Sequence, residues 1–450
     1  MRHAVLVQLP FPSTRTPDPR IEDYYVDYDR VFRKIVPEYF IPTDGLWEMP
    51  LWVAHLTALL DHAGLRSTFA DLSRTEAVAE DCAERLLELS APGDLMLMSP
   101  LAQNFDLAIA VARLLWRADR RTVLGGNMAP LAAACDAVHL VHRGQLDAGL
   151  VRDLVRLADT CGGELVNPLA PGLVANRITW SPEYRHLDGY HGQVPMLRLN
   201  ASHGCLYGCS FCGDSWSSQL TLVSRDALAA EVDQLAERFP DTRLVYIGDK
   251  TFGQSREAVR NLLDVFAQRP GYRFIVQTHV MQVRPWVVDA MRELGVVAVE
   301  LGFESGDSQM LKRLNKLSRG LADYAAKVRV LHEAGLHVVL NVMGGLDEET
   351  EDSHRQTVRW LADNADVLWL FNLYSFVPYP LTPDFARLRP RIFNWEFADW
   401  REDLPPVYRP ANLTPERSWE MFGEKIEVTH GIVRRRATTD SPAANGEPQR

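Results

Sequence analysis

Three cysteines, Cys205, Cys209 and Cys212, fall close together in a 450-residue chain that holds only six. Cys82, Cys135 and Cys161 are scattered. The stretch His203-Gly204-Cys205-Leu206-Tyr207-Gly208-Cys209-Ser210-Phe211-Cys212-Gly213 offers three thiolates on one tight loop, with glycines that let the backbone wrap closely around a ligand. Such a loop can ligate three irons of a [4Fe–4S] cluster and leave one iron open to an outside ligand, the arrangement of a reactive centre. Two other chemistries compete. Structural zinc would use His203 to complete a Cys₃His set, but zinc spacings come as paired knuckles and no second pair exists. A redox disulfide would need only the Cys209–Cys212 pair and would leave Cys205 unexplained.

The elements that must position this loop are legible as two strand–helix alternations. Segments 4–10, 66–72, 94–100, 121–127 and 137–143 are apolar runs of strand type, with helical patterns over Leu51–Ala63, Glu80–Leu89, Phe105–Ala118 and Leu146–Ala158. Near-continuous apolar strands between helices predict a parallel sheet covered on both faces. A second alternation places strands at 197–203, 243–249, 273–279, 296–305, 337–345 and 367–376, with helices at 225–238, 255–268, 286–294, 321–334 and 350–364. Six βα units can curl into an incomplete barrel with its ligands at the carboxyl ends of the strands. The chain is therefore α/β: an N-terminal Rossmann-like, doubly wound parallel sheet, then a partial (β/α)₆ TIM-like barrel. The expected division is residues 1–161 for the first domain, 162–195 for a Pro/Gly-rich linker, 196–385 for the barrel, 386–432 for an irregular Trp- and Pro-rich cap and 433–450 for a disordered tail. Residues 11–50, with six prolines and four tyrosines and no evident period, are expected to form a long loop or lid.

A C-x₃-C-x₂-C loop after the first strand of such a barrel resembles the radical S-adenosylmethionine (SAM) enzymes, and further landmarks follow in order. Gly248-Asp249-Lys250 ends the second strand where that family has its GGE-like segment, and Phe252 resembles a D-x-x-F variant. Glu304-Ser305-Gly306 resembles a G-x-E-S-G segment, Asn341 begins the segment that supports the nucleotide, and Pro378-Tyr379-Pro380-Leu381-Thr382 resembles PYPGT with Leu381 in place of glycine. The resemblance covers about residues 190–385. It implies a [4Fe–4S] cluster on Cys205, Cys209 and Cys212, and SAM bound by Phe211, Gly248, Asp249, Glu304, Ser305 and Asn341. It further implies reductive cleavage of SAM to a 5′-deoxyadenosyl radical that abstracts hydrogen from a substrate. Read singly, each landmark is ordinary: a strand-end glutamate is commonly solvated, and Asp249 would ordinarily cap a helix.

The first domain resembles the cobalamin-binding subgroup of that family. Pro50-Leu51-Trp52-Val53-Ala54-His55-Leu56 is similar to its PPLGLAYL helix start, and Gly125-Gly126-Asn127-Met128 to its glycine turn. The departures are the lack of D-x-H-x-x-G and the replacement of the GEGE segment by His142-Arg143-Gly144-Gln145. They weigh toward an empty lid over bound cobalamin. The Gly125-Gly126 pair lacks the spacing of a nicotinamide fingerprint.

Two reactions follow from the resemblance. The first expectation is dehydration of a diol in an aminosugar, since the chain resembles the aminoglycoside deoxygenases that act on paromamine. A proton donor and a base would come from His203, Tyr207, Asp214, His279 and Tyr374. The alternative is cobalamin-dependent methylation of an unactivated carbon. Flavodoxin or ferredoxin would supply electrons, and an NAD(P)H-dependent reductase would finish a deoxygenation. Lys+Arg 48 against Asp+Glu 59 leaves a net charge of −11, which argues against a general grip on nucleic acid. No apolar run approaches the ~20 residues that span a bilayer. A cytoplasmic, membrane-free protein is expected.

Overall fold

In the computed structural model, the described residues are 3–11, 18–37, 39, 50–143, 146, 148–159, 177–190, 194–213, 219–316 and 318–438. Asp214, Gly144, Gln145, Cys161, most of the 162–195 linker and the tail beyond 438 lie outside them.

The first alternation folds as β1 (His3–Gln8), α1 (Pro19–Ile35), α2 (Leu51–His62), β2 (Arg66–Asp71), α3 (Ala79–Glu88), β3 (Leu95–Met98), α4 (Phe105–Arg117), β4 (Arg121–Leu124), β5 (Leu140–Val141) and α5 (Ala148–Asp159). The five strands are parallel, in the order β2-β1-β3-β4-β5. Ala4–Val7 and Leu95–Met98 are buried on both faces, which is why they read as unbroken apolar runs. The chain reverses direction across the sheet between β1 and β3, and the crevice outside their carboxyl ends is the usual ligand position of such sheets.

Two short strands and the first barrel strand follow: β6 (Arg177–Ile178), β7 (Leu197–Leu199) and β8 (Ser202–His203). The rest of the barrel is β9 (Thr221–Val223), α6 (Arg225–Arg238), β10 (Leu244–Ile247), α7 (Arg256–Phe266), β11 (Arg273–His279), α8 (Pro285–Leu294), β12 (Val296–Glu304), α9 (Ser308–Arg313), α10 (Leu321–Glu333), β13 (His337–Gly344), α11 (Glu351–Asp363) and β14 (Leu370–Ser375). Six parallel strands run in the order β14-β13-β12-β11-β10-β7, so the barrel stays open between β14 and β7. β6, β9 and β8 form a small separate sheet.

Two expectations are corrected. Residues 19–35, expected within a lid without periodicity, form α1. Asp18 caps it by accepting from the Arg20 N–H at 2.9 Å, and Pro19 occupies its first turn. Ile21, Tyr24, Val31, Phe32 and Ile35 give it a buried face. The prolines that suggested a loop flank the helix instead of interrupting it. Tyr24 docks on the open edge of the barrel, its hydroxyl donating to Phe371 O at 2.5 Å and accepting from Phe371 N at 3.1 Å. Unpaired edge groups of β14 are satisfied in this way. The second correction concerns the end of the chain. After α12 (Pro383–Leu388) and an irregular stretch, α13 (Pro415–Thr438) runs through the expected boundary between cap and tail. It packs beside α1, with His430 Nε2 3.0 Å from Asp27 and Lys34 Nζ donating to Arg436 O and Ala437 O at 3.0 and 2.7 Å. An ammonium on those last carbonyls suits a helix C-terminus.

The described part of the linker is a clamp. Arg185 pairs with Asp61 of α2, His186 Nε2 lies 3.0 Å from Ser67 of β2, and the buried Tyr184 hydroxyl donates to Glu231 of α6 at 2.7 Å. Burial lifts the Glu231 carboxyl from 4.5 to about 8, against the opposing effect of that hydrogen bond. Because the folded pKa is the higher one, the stabilising protonated state is complete below about 4.5 and is lost as pH rises through about 8. Glu231→Gln, which still accepts from Tyr184, should therefore gain stability relative to the parent as pH rises across that window. Urea midpoints at matched pH values check this, and parallel midpoint–pH curves would exclude it.

Candidate active site at the barrel mouth

The cysteine loop has almost no secondary structure of its own and is held by side chains from neighbouring elements. Asp249, just past β10, accepts from Ala201 N at 2.7 Å, Ser202 N at 3.0 Å and Ser202 Oγ at 2.5 Å. Gln254 accepts from Leu206 N at 2.7 Å, and Asn315 Nδ2 donates to Gly208 O at 2.6 Å. Ser210 donates through its N–H to Leu314 O at 2.9 Å and through Oγ to Asp384 at 2.8 Å, while Asp384 N donates back to Ser210 O at 3.1 Å. Gly204 takes φ +88° and Cys212 N closes a turn onto Cys209 O at 3.2 Å. Cys205, Cys209 and Cys212 are all free thiols, and Cys205 Sγ lies 3.7 Å from Thr251 Oγ1.

Among the described residues no three His, Cys, Asp or Glu side chains converge on one ion. A Cys₃His zinc site would need all four donors on a single metal. His203 turns instead to His55 of α2, edge to face at 5.6 Å. A [4Fe–4S] cluster takes each thiolate on a different iron, so free cysteines spread along a firmly anchored loop fit it.

Beside Cys209 sits a buried ion pair missed in the sequence. Lys316 Nζ donates to Glu304 Oε1 at 2.7 Å, and both side chains are buried. Glu304 ends β12 at a register shift with φ +69°. Gly302 leaves room for the pair, since a Cβ there would lie 2.5 Å from Lys316 Nζ. Burial pushes the Cys209 thiol up and the Lys316 charge opposes it. A lysine twelve positions beyond a strand end carries no sequence signal of such a role. Asn315 (φ +50°) and Leu381 (φ +69°) are strained on the same mouth, and the second explains why glycine is usual at that place in the resembling segment.

The remaining candidates separate into groups. Tyr207 stacks on His279 at 3.8 Å and 10°, and its hydroxyl accepts from Gln282 Nε2 at 2.8 Å. His279 Nδ1 accepts from Met281 N at 3.2 Å, and burial lowers its pKa to about 3. His203 is lowered to about 4 by burial and by Lys250. Tyr374 stands on β14, away from both. Ser305 Oγ lies 3.4 Å from Thr357 Oγ1, and Asn341 Oδ1 accepts from Asn372 Nδ2 at 3.0 Å. Phe211 packs on the core that joins the two sheets, and at Gly248 the Asn200 side chain fills the place of a Cβ. The four described acid–base candidates therefore form no single constellation, and two of them are held as neutral imidazoles. Asp249 spends its oxygens on the cysteine loop and caps no helix.

The first sheet abuts this loop. A Cβ on Gly213 would sit 2.9 Å from Asn127 Nδ2, in the turn after β4. Val5, Val7, Met96 and Met98 of the sheet share one core with Met310, Leu314, Met343 and Phe376 of the barrel. The carboxyl ends of the two sheets thus meet.

Residues 199–361 match the model of the Radical SAM superfamily. The matched segment holds the three cysteines, Asp249 and Glu304, and radical SAM domains work with a [4Fe–4S] cluster and SAM. Among curated proteins, the chain is 25% identical over 245 residues to bacteriochlorophyllide d C-12(1)-methyltransferase of Chlorobaculum tepidum, covering 53% of this chain and 51% of that protein. It is 22% identical over 404 residues to anaerobic magnesium-protoporphyrin IX monomethyl ester cyclase of Cereibacter sphaeroides, covering 82% and 65%. The chain thus spans half to two thirds of the length of these relatives. Among solved structures, it resembles the radical SAM methyltransferase TsrM from Kitasatospora setae, with cobalamin and a [4Fe–4S] cluster bound, at TM-score 0.60 and 15% identity, covering 86% and 77%. Among the described residues no helix is long and apolar enough to cross a membrane.

Cys205→Ala, Cys209→Ala and Cys212→Ala should each lose bound iron and sulfide after anaerobic reconstitution while keeping the parent's circular dichroism. Asp249→Ala should lower iron occupancy without touching a ligand. Full iron content in any cysteine variant would overturn the assignment.

Proposed function

We propose that this chain is a radical SAM methyltransferase whose first sheet holds a corrinoid against the cluster loop and which methylates a carbon of a small organic substrate. The observation that carries the reading is the meeting of the two carboxyl edges, with Asn127 against Gly213. It puts the usual ligand crevice of the first sheet beside the cysteines. Unpartnered polar atoms are found at that edge: Gln103 Oε1, Asn104 Oδ1 and Arg143 Nε are buried without a hydrogen-bond partner. Asn104 is held there by its Nδ2, which donates to Leu9 O at 3.5 Å and Pro10 O at 3.4 Å. A corrin ring is rimmed with amides, which such groups match. Methyl transfer, the activity of the bacteriochlorophyllide relative and of TsrM, is favoured over the dehydration expected first. The scattered, neutral acid–base candidates also speak against loss of hydroxide.

When bound, the cluster, SAM and corrinoid supply an electron, a radical initiator and a transferable methyl group. The chain's own residues have other tasks. Cys205, Cys209 and Cys212 would each hold one iron, and Asp249, Asn315 and Asp384 keep their spacing. Glu304, fixed by Lys316, and Ser305, fixed beside Thr357, would meet SAM at the end of β12, with Asn341 next to them on β13. Tyr207 and His279 form a flat wall over the loop. The packed α1 and first sheet would keep water from the mouth. An electron donor such as flavodoxin or ferredoxin would deliver electrons.

Protein reconstituted with hydroxocobalamin should retain about one corrinoid per chain through gel filtration, and Asn104→Ala should retain less. Absence of retention would remove the corrinoid from this reading. Glu304→Gln, which avoids stranding the Lys316 charge fully alone, should weaken SAM binding several-fold with the cluster spectrum unchanged, as measured by equilibrium dialysis. Unaltered SAM affinity would take Glu304 out of the site.

A further inference from the structure

Leu206 follows Cys205 directly and is 52% exposed, so the cysteine loop reaches the protein surface there. Two glutamines tie this point to the rim of the barrel. Gln254 accepts from Leu206 N at 2.7 Å, and Gln282 Nε2 donates to the Tyr207 hydroxyl at 2.8 Å. Each glutamine stands two residues before an exposed arginine, Arg256 in the first turn of α7 and Arg284 at the cap of α8. The circuit closes between the two arginines. The Arg256 guanidinium lies 4.2 Å over the ring of Trp286, and Arg284 Nε donates to Met281 O at 3.1 Å. Gly253, at φ +90°, brings the segment ahead of α7 against α8, since a Cβ there would lie 3.0 Å from the Val287 methyls.

This face is basic on a chain whose net charge is −11. Lys250, Arg256, Arg260 and Arg284 are exposed, with Arg260 one turn beyond Arg256 on α7. Two acids accompany them: Glu257, held by Arg177 at 2.7 Å, and Asp289 on α8. Helices α7 and α8 both begin here, and their positive ends add to the field. An apolar centre, Leu206 with the half-buried Trp286, ringed by cations has the make-up of a small interface whose rim steers an acidic partner. Encounters between electron-transfer proteins use small interfaces, and complementary charge speeds them. A nucleic acid would use the charges alone. An electron bound for the cysteine loop gains from entering where that loop meets solvent, and the cations surround that point.

We propose that the face formed by Leu206, Arg256, Arg284 and Trp286 docks a small acidic electron-carrier protein, which passes electrons to the cluster through the cysteine loop. The step is a one-electron exchange: the reduced carrier loses one electron, the cluster gains it, and no bond is made or broken. The assignment rests on a cluster held by Cys205, Cys209 and Cys212, and it gives the electron donor a place on the chain. Arg256 and Arg284 act here as docking residues and touch neither substrate nor cluster ligand.

Reduced flavodoxin, an acidic flavoprotein, serves as the probe, mixed anaerobically with the cluster-loaded full chain under stopped flow and followed by flavin absorbance. The rate constant for reduction of the cluster should fall with added salt. The Arg256→Glu, Arg284→Glu double variant should lower it by about tenfold at low salt and flatten the salt dependence. Reduced methyl viologen, a small cation with no use for this face, should reduce the clusters of parent and variant with no loss of rate. An Arg152→Glu, Arg156→Glu variant, which makes the same change of charge on exposed positions of α5 in the first domain, should keep the parent's flavodoxin rate. An unchanged flavodoxin rate in the first variant, an equal fall in the α5 variant, or an equal fall with methyl viologen would each overturn the proposal. Iron and sulfide content of the same preparation reports separately on the cluster, and corrinoid retention on the methyltransferase assignment, so each can fail alone.

Discussion

Three sulfurs must keep fixed positions on a loop that forms no ladder with itself. That constraint is met by hydrogen bonds between side chains and loop backbone, Asp249 with Ala201 and Ser202, Gln254 with Leu206 and Asn315 with Gly208, and by the Ser210 hydroxyl donating to the Asp384 carboxylate. Each contributes on the order of 1 kcal/mol, more where the acceptor is charged. Their value lies in direction as much as in energy. The anchors come from the ends of β10, α9 and α12, so the loop inherits the rigidity of the barrel and cannot drift without displacing several strand ends at once.

The same mouth holds the costliest features of the chain. Glu304, Asn315 and Leu381 adopt left-handed backbone that non-glycine residues avoid, and Glu304 and Lys316 are buried as an ion pair. Removing either partner would leave an unmatched charge in a site closed to water. A Lys425–Glu349 pair, with Lys425 also donating to Met343 O at 3.0 Å, fastens α13 under β13 in the same manner. Strain and buried charge gather where the carboxyl ends of the strands must present polar groups, and the surrounding aliphatic core of the barrel bears the cost.

The two sheets are not independent bodies. Helix α1 leaves the first sheet to lie along β14, α13 returns to pack on α1, and the Tyr184–Arg185–His186 clamp joins α2 and β2 to α6. An open barrel with two free edges is thereby covered on its β14 side by a helix from the other end of the chain.

Much of the architecture was legible in the order of residues, because apolar strands and amphipathic helices are local signals. The segments at 225–238, 273–279 and 296–305 coincide with α6, β11 and β12 within a residue or two. The cysteine spacing and the strand-end landmarks after it were readable for the same reason. Helix α1 was hidden by flanking prolines and by a buried face made partly of tyrosines, and α13 by its position after a stretch without period. At Asp249 the sequence shows a carboxylate at a strand end but not the backbone N–H groups facing it. What the amino-acid order alone determined was therefore most of the elements, without α1 and α13, and the three thiols. Which polar groups oppose one another across the mouth was decided only by tertiary structure. Lys316 on Glu304 and Asn127 against Gly213 each join segments distant in the chain or placed by a turn, and no periodicity along the backbone encodes their approach.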